Sequence, residues 1–403
     1  MMTRPLRVAL FACAYNEIDG VANTCQQFEA FARRRDWGFL NVHGGFDHYV
    51  RAEGSVLRYE FQRRWPKFAL DKKHEFDLLF WRYYRTIEAA VREFKPDVLH
   101  ITGPSELGQT GALVAHRLHI PLVASWHTNV HEYAEQRFLS TATWIPEPAR
   151  RAIGTRIREV TFRLSARFYR IARVLFAPNP ELVDRLATAT GKPCHIMSRG
   201  VDTNLFRPER RDSRGKPFTI GYVGRFTTEK NICFLAELEQ SLLARGFRNF
   251  RFLMVGQGAE EPWLRANLRQ AEFAGVLQGE ALARAYANMD MFAFPSRTDT
   301  FGNVVLEAMA SGVPAVVTSE GGPKFIVRHG EDGFVAQNDS EFVEFTSSLL
   351  ANQERLSALR SAARQRALAA SWDAVFEQVY RIYSQMLDKP QSVVRWTPGL
   401  VQV

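Results

Sequence analysis

The stretch Met291–Thr318, MFAFPSRTDTFGNVVLEAMASGVPAVVT, reads as one unit: an apolar run (Met291 to Phe294), a polar turn, a short helix and a second apolar run (Ala315 to Thr318). Short unbroken apolar runs on either side of a helix suit strands of a parallel sheet buried on both faces. Within the unit, Asp299 stands in the turn ahead of the helix and Glu307 lies eight positions later, inside it. At the α-helical rise eight residues span about 12 Å, and eight steps of about 100° leave the two carboxylates off a common face. That layout argues against a tight metal pair or a shared-proton dyad. The helix start, Thr300 to Val304, leaves backbone N–H groups free and forms a seat for an anion. A ligand with hydroxylated groups at its two ends and a diphosphate between them has matching proportions. The spacing fits equally an Asp299 that N-caps the helix and a solvated Glu307.

The same alternation extends along the chain. Apolar runs at Leu6–Tyr15, Asp97–Ile101, Leu122–Trp126, Val174–Ala177 and His195–Met197 alternate with helix-like segments such as Val21–Arg33, Tyr84–Phe94 and Gly108–Arg117. The charged, turn-rich segment RPERRDSRGKP (207–217) then interrupts the pattern, which restarts at Phe218–Val223 and continues at Phe250–Val255, Met291–Phe294, Ala315–Thr318 and Phe334–Ala336. The expectation is an α/β fold of two Rossmann-like domains facing across a cleft, residues 1–206 and 218–370, joined by a linker at 207–217. A last helix, Ser371–Leu387, carries a mainly apolar face of Trp372, Val375, Phe376, Val379, Tyr380 and Tyr383, and 388–403 reads as a loose tail.

A chain of 403 residues with 46% hydrophobic content has enough apolar side chain for two cores. No run reaches the roughly 18 apolar residues of a membrane span, so the expected location is the cytoplasm, peripheral on the inner face of a membrane. Cys13, Cys25, Cys194 and Cys233 lack Cys-x-x-Cys spacing and read as buried thiols, with no metal site implied. Charge is uneven. Residues 1–200 carry 29 Lys and Arg against 20 Asp and Glu, whereas 201–403 carry 23 of each. The excess is densest at Glu147–Arg173, where Arg150, Arg151, Arg156 and Arg163 and four further arginines interleave with Ile153, Val160, Leu164 and other apolar residues. Such a segment is a candidate for an amphipathic helix on an anionic membrane surface, or for a solvated helix packed on its own domain. No recognisable nucleic-acid module accompanies it, so nucleic acid is not an expected partner.

GRFTTEKN (Gly224–Asn231) follows the first strand of the second half, with Arg225 and Lys230 placed to grip a diphosphate at the carboxyl edge of the sheet. Gly256 and Gly258 close the next strand, and Gly321–Gly322 form a turn on the same edge. In the first half, SWHTNVHEY (Ser125–Tyr133) follows a strand and puts His127 at the cleft edge.

Together these segments resemble the donor-site signature of the large retaining glycosyltransferase family 4, which includes sucrose synthase, phosphatidylinositol mannosyltransferases and sulfolipid synthases. The family pattern is an acidic residue, seven intervening residues and a Glu, with Phe-Gly just after the first acid; here Asp299 stands where Glu is usual, followed by Phe301-Gly302 and then Asn303 and Glu307. GRFTTEKN is similar to the family's Gly-Arg-x-x-x-x-Lys-Asn segment, and Arg199–Pro208 to its Asn-Gly-Val-Asp-x-x-x-Phe-x-Pro segment, with Arg199 replacing Asn. Asp19-Gly20-Val21 resembles its glycine loop, with one glycine where two are frequent.

The resemblance implies the GT-B architecture and metal-independent transfer of a hexose from a GDP- or UDP-sugar with retention. The nucleotide sugar is a co-substrate, and no cofactor is implied. His127, Asp299, Arg225 and Lys230 would form the catalytic centre, with Gly20, Gly224, Gly256, Gly258, Phe301, Gly302, Asn303 and Glu307 around the donor. The acceptor hydroxyl would belong to a membrane lipid of the diacylglycerol-glycolipid type, with Trp126, Tyr133 and the arginines on the acceptor or membrane side. A soluble glycan or metabolite acceptor, or a GT-B sugar-nucleotide epimerase, are the alternatives.

Overall fold

The computed structural model describes residues 4–16, 20–69, 75–77, 79–127, 129–212 and 217–388. The first domain runs β1 (Val8–Ala12), α1 (Gly20–Arg34), β2 (Phe39–Gly45), β3 (Tyr49–Glu53), β4 (Val56–Gln62), β5 (Lys67–Ala69), β6 (Glu75–Asp77), α2 (Tyr84–Phe94), β7 (Val98–Ile101), α3 (Glu106–Arg117), β8 (Leu122–Ser125), α4 (Val130–Thr141), α5 (Glu147–Tyr169), β9 (Val174–Ala177), α6 (Pro180–Thr190) and β10 (Cys194–Ile196). Its eight-stranded sheet has the order β10-β9-β8-β7-β1-β2-β4-β3, parallel except for β3, which pairs antiparallel with β4. The buried runs LFA and VLHI explain the central strands: strands covered by helices on both faces need apolar residues on both.

The second domain runs β11 (Phe218–Val223), α7 (Phe234–Ala244), β12 (Phe250–Val255), α8 (Glu261–Asn267), β13 (Ala271–Gly275), α9 (Gly279–Ala287), β14 (Met291–Phe294), α10 (Asn303–Ala310), β15 (Ala315–Thr318), β16 (Gly333–Ala336), α11 (Asp339–Ala351) and α12 (Gln353–Leu368). Its six strands are all parallel, in the order β13-β12-β11-β14-β15-β16. In both sheets the order reverses beside the first strand, at β1/β7 and at β11/β14. Such switch points open a crevice beyond the carboxyl ends of the strands. Helix starts are chemically defined: Ser105, Asn179, Asn338 and Asn352 accept from backbone N–H groups of α3, α6, α11 and α12, and Pro180 occupies the first position of α6.

The last helix, α13 (Trp372–Asp388), leaves the second domain and lies against α1. Trp372, Val375, Phe376, Val379, Tyr380 and Tyr383 join one core cluster with Leu10, Phe28, Phe31 and Phe176 of the first domain. Phe376 stacks face to face on Phe28 with centroids 4.4 Å apart, and Trp372 stacks on Phe376 at 5.5 Å. Arg34, the last residue of α1, and Arg35 just after it pair with Asp373 and Glu377 at the exposed margin, where ion pairs contribute little. Within the segment 207–217, residues 213–216 lie outside the described residues, and Arg211 ties its start to Asp290 (2.7 Å) of the second domain. Of the expected tail, 389–403 lie outside the described residues, and Asp388 ends α13.

Removing the Phe376 ring should open a cavity between α13 and α1. Phe376→Ala is expected to lower unfolding free energy by about 3–5 kcal/mol, read by urea denaturation.

Candidate functional site

The second-domain wall of the cleft is built from two loops that flank the β11/β14 switch point. A one-turn helix at Thr228–Lys230 follows β11, and Asn231, in the left-handed conformation (φ +50°), ends it. This turn directs Lys230 to Asp299 in the loop after β14, where Nζ donates to Oδ1 at 2.6 Å. Thr298 Oγ1 donates to Glu229 O (3.1 Å), which fastens the same two loops together. Both charged side chains are largely buried, and Asp299 Oδ2 is enclosed without a hydrogen-bond partner among the described residues. Arg225 stands half exposed, 3.6 Å from Glu229, and does not reach Asp299.

Asp299 does not cap α10. The helix starts at Asn303 behind Gly302, whose φ of +95° is a conformation open chiefly to glycine. Glu307 is likewise not a solvated side chain: it accepts a hydrogen bond from Tyr286 Oη (2.9 Å) beneath the helix, and desolvation pushes its carboxyl up to about 7. Phe301 is buried and anchors the loop. The Gly321–Gly322 turn bears directly on this wall. Gly322 N–H donates to Asp299 O (2.6 Å), and a Cβ on Gly322 would stand 2.1 Å from Thr300 O, so only a bare backbone fits. Gly256 and Gly258 serve a similar end one loop away: a Cβ on either would lie 1.9 Å from Gly224 O or 2.1 Å from Phe226 O. Their backbone therefore packs on the Gly224–Phe226 loop and holds Arg225.

The first-domain wall faces this one directly. Asp19 lies outside the described residues, and Gly20 begins α1, so close to the opposite wall that a Cβ there would stand 3.3 Å from Asn303 Nδ2. The N-termini of α1 and α10 thus converge across the cleft, and their dipoles favour an anion between them. Arg199 is buried behind this end of α1 and donates to Gly20 O and Thr24 Oγ1. His127 is buried at the meeting of the walls: Thr300 Oγ1 donates to its carbonyl (3.3 Å), and Asn179 Nδ2 donates to Thr300 O (3.1 Å). Lys324 pairs with Glu181 (2.7 Å) at the rim. Burial first, then the Arg199 charge, drives the His127 imidazole well below its ordinary pKa and keeps it neutral. Among the described residues no group of three or more His, Cys, Asp and Glu side chains is arranged to hold a metal ion.

Residues 42–205 match the model of "Glycosyltransferase Family 4", and 217–352 that of "Glycosyl transferases group 1". A GDP-mannose-dependent alpha-mannosyltransferase of Mycolicibacterium smegmatis is 33% identical over 311 residues, 74% of this chain and 76% of that protein. The chain belongs to glycosyltransferase family 4. A second GDP-mannose-dependent alpha-mannosyltransferase, from Corynebacterium glutamicum, is 27% identical over 97% of this chain and 91% of its own length. Among solved structures, sucrose-phosphate synthase from Thermosynechococcus elongatus superposes with a TM-score of 0.72 at 18% identity, covering 94% of this chain and 99% of that one, which shows the shared GT-B fold. This glycosyltransferase takes its sugar from a nucleotide donor.

Among the residues expected on the acceptor or membrane side, the structure departs from the sequence expectation at one. Trp126 is 2% exposed; its indole packs among Phe162, Tyr169 and His131 and donates to Asn129 Oδ1 (3.0 Å). It is core beneath α5 and offers no face to an acceptor. The Tyr133 side chain lies outside the described residues. On the 23-residue α5, Arg150 is partly buried, whereas Arg151, Arg156 and Arg163 are exposed beside Ile153, Val160 and Leu164, the last 65% exposed. Gly154, Phe162, Ala166 and Tyr169 form the buried face of the helix. A groove of about 710 Å³ runs between α5 and α6, bordered by Arg163, Arg167, Arg170 and Arg185. No helix among the described residues is long and apolar enough to cross a membrane.

Three contributors were absent from the motif reading. Tyr286 lies 21 residues before Glu307, with no local pattern to join them. Thr300 was read only as helix start, and Asn179 carries the one usable signal, Asn-Pro at a helix entry. The Glu307 carboxyl provides a prediction for the ligand-free protein. Its folded pKa of about 7 lies above the ordinary 4.5, so between these values the folded state holds the proton more tightly and stability falls as pH rises. Glu307→Gln should therefore gain in melting temperature relative to the wild type as pH goes from 5 to about 8; parallel melting curves would contradict the burial argument.

Proposed function

We propose that this glycosyltransferase moves a hexose from GDP-mannose, or less favourably a UDP-sugar, to a hydroxyl of a membrane lipid of the diacylglycerol-glycolipid type, with retention and without a metal ion. The observation that carries the reading is the Lys230–Asp299 pair set beside two converging helix N-termini. In this reading the diphosphate lies between the starts of α1 and α10, with Arg225 and Lys230 neutralising the charge that grows as the nucleotide leaves. Asp299 and His127 hold the sugar hydroxyls, and Glu307 accepts from the ribose. The bond from the anomeric carbon to the phosphate oxygen breaks, its electron pair goes to the diphosphate, and the acceptor oxygen bonds to the same face. The acceptor proton passes to the departing diphosphate oxygen. Residues 218–370 are then the donor domain and 1–206 the acceptor domain, with 207–217 as their linker.

GDP-mannose is favoured because the relatives from Corynebacterium glutamicum and Mycolicibacterium smegmatis are named for it. A lipid acceptor is supported by the exposed arginines and apolar side chains of α5, which suit an anionic surface on the cytoplasmic face. A sulfoquinovosyl transferase of Arabidopsis thaliana is 30% identical over 73% of this chain, a match that covers 57% of that protein. A soluble acceptor is the second reading, because a D-inositol 3-phosphate glycosyltransferase of Thermobispora bispora is 28% identical over 71% of this chain.

Lys230→Ala should lower kcat by roughly 10²–10³, the cost of removing one preorganised charge donor from a transition state. Glu307→Ala should abolish transfer while leaving vesicle binding intact; unchanged turnover would overturn the donor assignment. Replacing Arg151, Arg156 and Arg163 together by Glu should release the enzyme from anionic vesicles, since each basic side chain near such a surface contributes on the order of 1 kcal/mol. Retained sedimentation with vesicles, together with transfer to a soluble acceptor, would favour the second reading.

A further inference from the structure

Behind His127 a row of buried side chains runs to the last helix. His127 Nε2 lies 2.6 Å from Ser125 Oγ, Ser125 Oγ lies 2.9 Å from His100 Nε2, and His100 Nδ1 meets the hydroxyl of Tyr383. His100 and Ser125 come from the adjacent strands β7 and β8, and Tyr383 from α13, so the row crosses the sheet from the cleft to the helix that returns from the second domain. All four residues are buried.

Proton counting orders this row. Two neutral imidazoles and two hydroxyls bring one proton each, four in all, and the three contacts use three. Burial lowers His100 to about 3 and His127 well below its ordinary value, so neither ring carries a second proton near neutrality. Three directional arrangements fill every contact once. In one, Tyr383 O–H donates to His100 Nδ1, His100 Nε2–H donates to Ser125 Oγ, and Ser125 O–H donates to His127 Nε2. The spare proton is then on His127 Nδ1. In the second, every bond reverses and the spare proton stays on the Tyr383 hydroxyl, whose hydrogen-bond partner among the described residues is His100 Nδ1 alone. In the third, both imidazoles donate from Nε2 to Ser125 Oγ and the spare proton stays on the Ser125 hydroxyl, whose partners among the described residues are those same two rings. Each of these two leaves a buried O–H without an acceptor in the core, which is unfavourable. His127 Nδ1, by contrast, is not among the enclosed side-chain atoms left without a partner, so a proton there does not carry that cost.

We infer that Tyr383, His100 and Ser125 are positioning residues that fix His127 as the Nδ1–H tautomer, so that it meets the donor as a hydrogen-bond donor to an oxygen and not as a base. The row also makes α13 a structural contributor to the cleft, because the hydroxyl that starts the sequence of bonds comes from it. The consequence for turnover rests on the reading of His127 as a contact to the donor sugar; the tautomer itself does not.

The test is a two-bond ¹H–¹⁵N correlation spectrum of the full-length enzyme labelled at histidine, at pH 7.5 and without substrate, with the His127 signals assigned by their loss in His127→Gln. The expected spectrum shows His127 protonated at Nδ1. Ser125→Ala should give a mixture of tautomers and lower kcat about tenfold, the effect of one misdirected hydrogen bond, with GDP affinity unchanged. Ser125→Thr, which keeps the hydroxyl, should restore both. Tyr383→Phe, which keeps the ring packing, provides the same comparison if Ser125→Ala fails to fold. A wild-type His127 protonated at Nε2, or a folded Ser125→Ala enzyme with wild-type kcat, would overturn the inference. An Nδ1–H tautomer in an enzyme that transfers no sugar would overturn the functional reading and leave the proton arrangement standing.

Discussion

The ion pair between Lys230 and Asp299 is the contact on which the cleft depends. It joins the loops after β11 and β14 at the point where the strand order reverses, and both partners are largely withdrawn from water. A pair in such a place is held by mutual need: removing either member strands the other charge in a poorly hydrated site, typically at about 3–5 kcal/mol. The free Oδ2 of Asp299 lies in the same enclosed space, so the pair is structurally closed on one side and chemically open on the other. The glycines at 321 and 322 belong to the same constraint, because the backbone carrying Asp299 and Thr300 leaves no room for a side chain over it.

From that pair outward, parallel-sheet geometry accounts for the rest of the arrangement. Parallel strands direct their connecting loops to one edge, and the following helices begin there with the positive ends of their dipoles. Two such sheets placed edge to edge bring two helix starts together, which is why Gly20 and Asn303 nearly touch. Returning α13 to the first domain closes the arrangement on the far side through a stack of Phe28, Phe376 and Trp372. Apolar packing there and polar contacts at Thr300 and Lys324 link the two domains by different physics.

How far this was legible in the sequence depended on burial. Strands β11, β12, β14 and β15 match their apolar runs residue for residue, because each is a largely buried run ended by Gly, Pro or a polar turn. Strand β2 escaped because FLNVHGG places Asn41 and His43, both fully buried, where an apolar pattern was sought. Strands β3 and β13 lie at sheet edges, and their mixed exposure leaves no periodic signature. At the site, Asp299 and Lys230 were readable as motif members, yet that they pair is a fact of the fold, since 69 positions separate them. Trp126 was misread because an aromatic beside a cleft-edge His looks like a ligand contact, and nothing local reveals that α5 covers it. For Glu307 the spacing alone left a solvated side chain open, and only the fold shows Tyr286 beneath it, 21 positions away.

The central claim is that a nucleotide sugar sits between the two helix starts with Lys230 at its diphosphate. Thermal stability measured during titration with GDP-, UDP- and ADP-sugars in the presence of a chelator tests it most directly. The account predicts that one nucleotide class, GDP foremost, stabilises the wild type, by about 2.7 kcal/mol at 100 times its dissociation constant, and that Lys230→Gln largely loses the response. Equal stabilisation of the wild type and Lys230→Gln, or none by any nucleotide sugar, would contradict it.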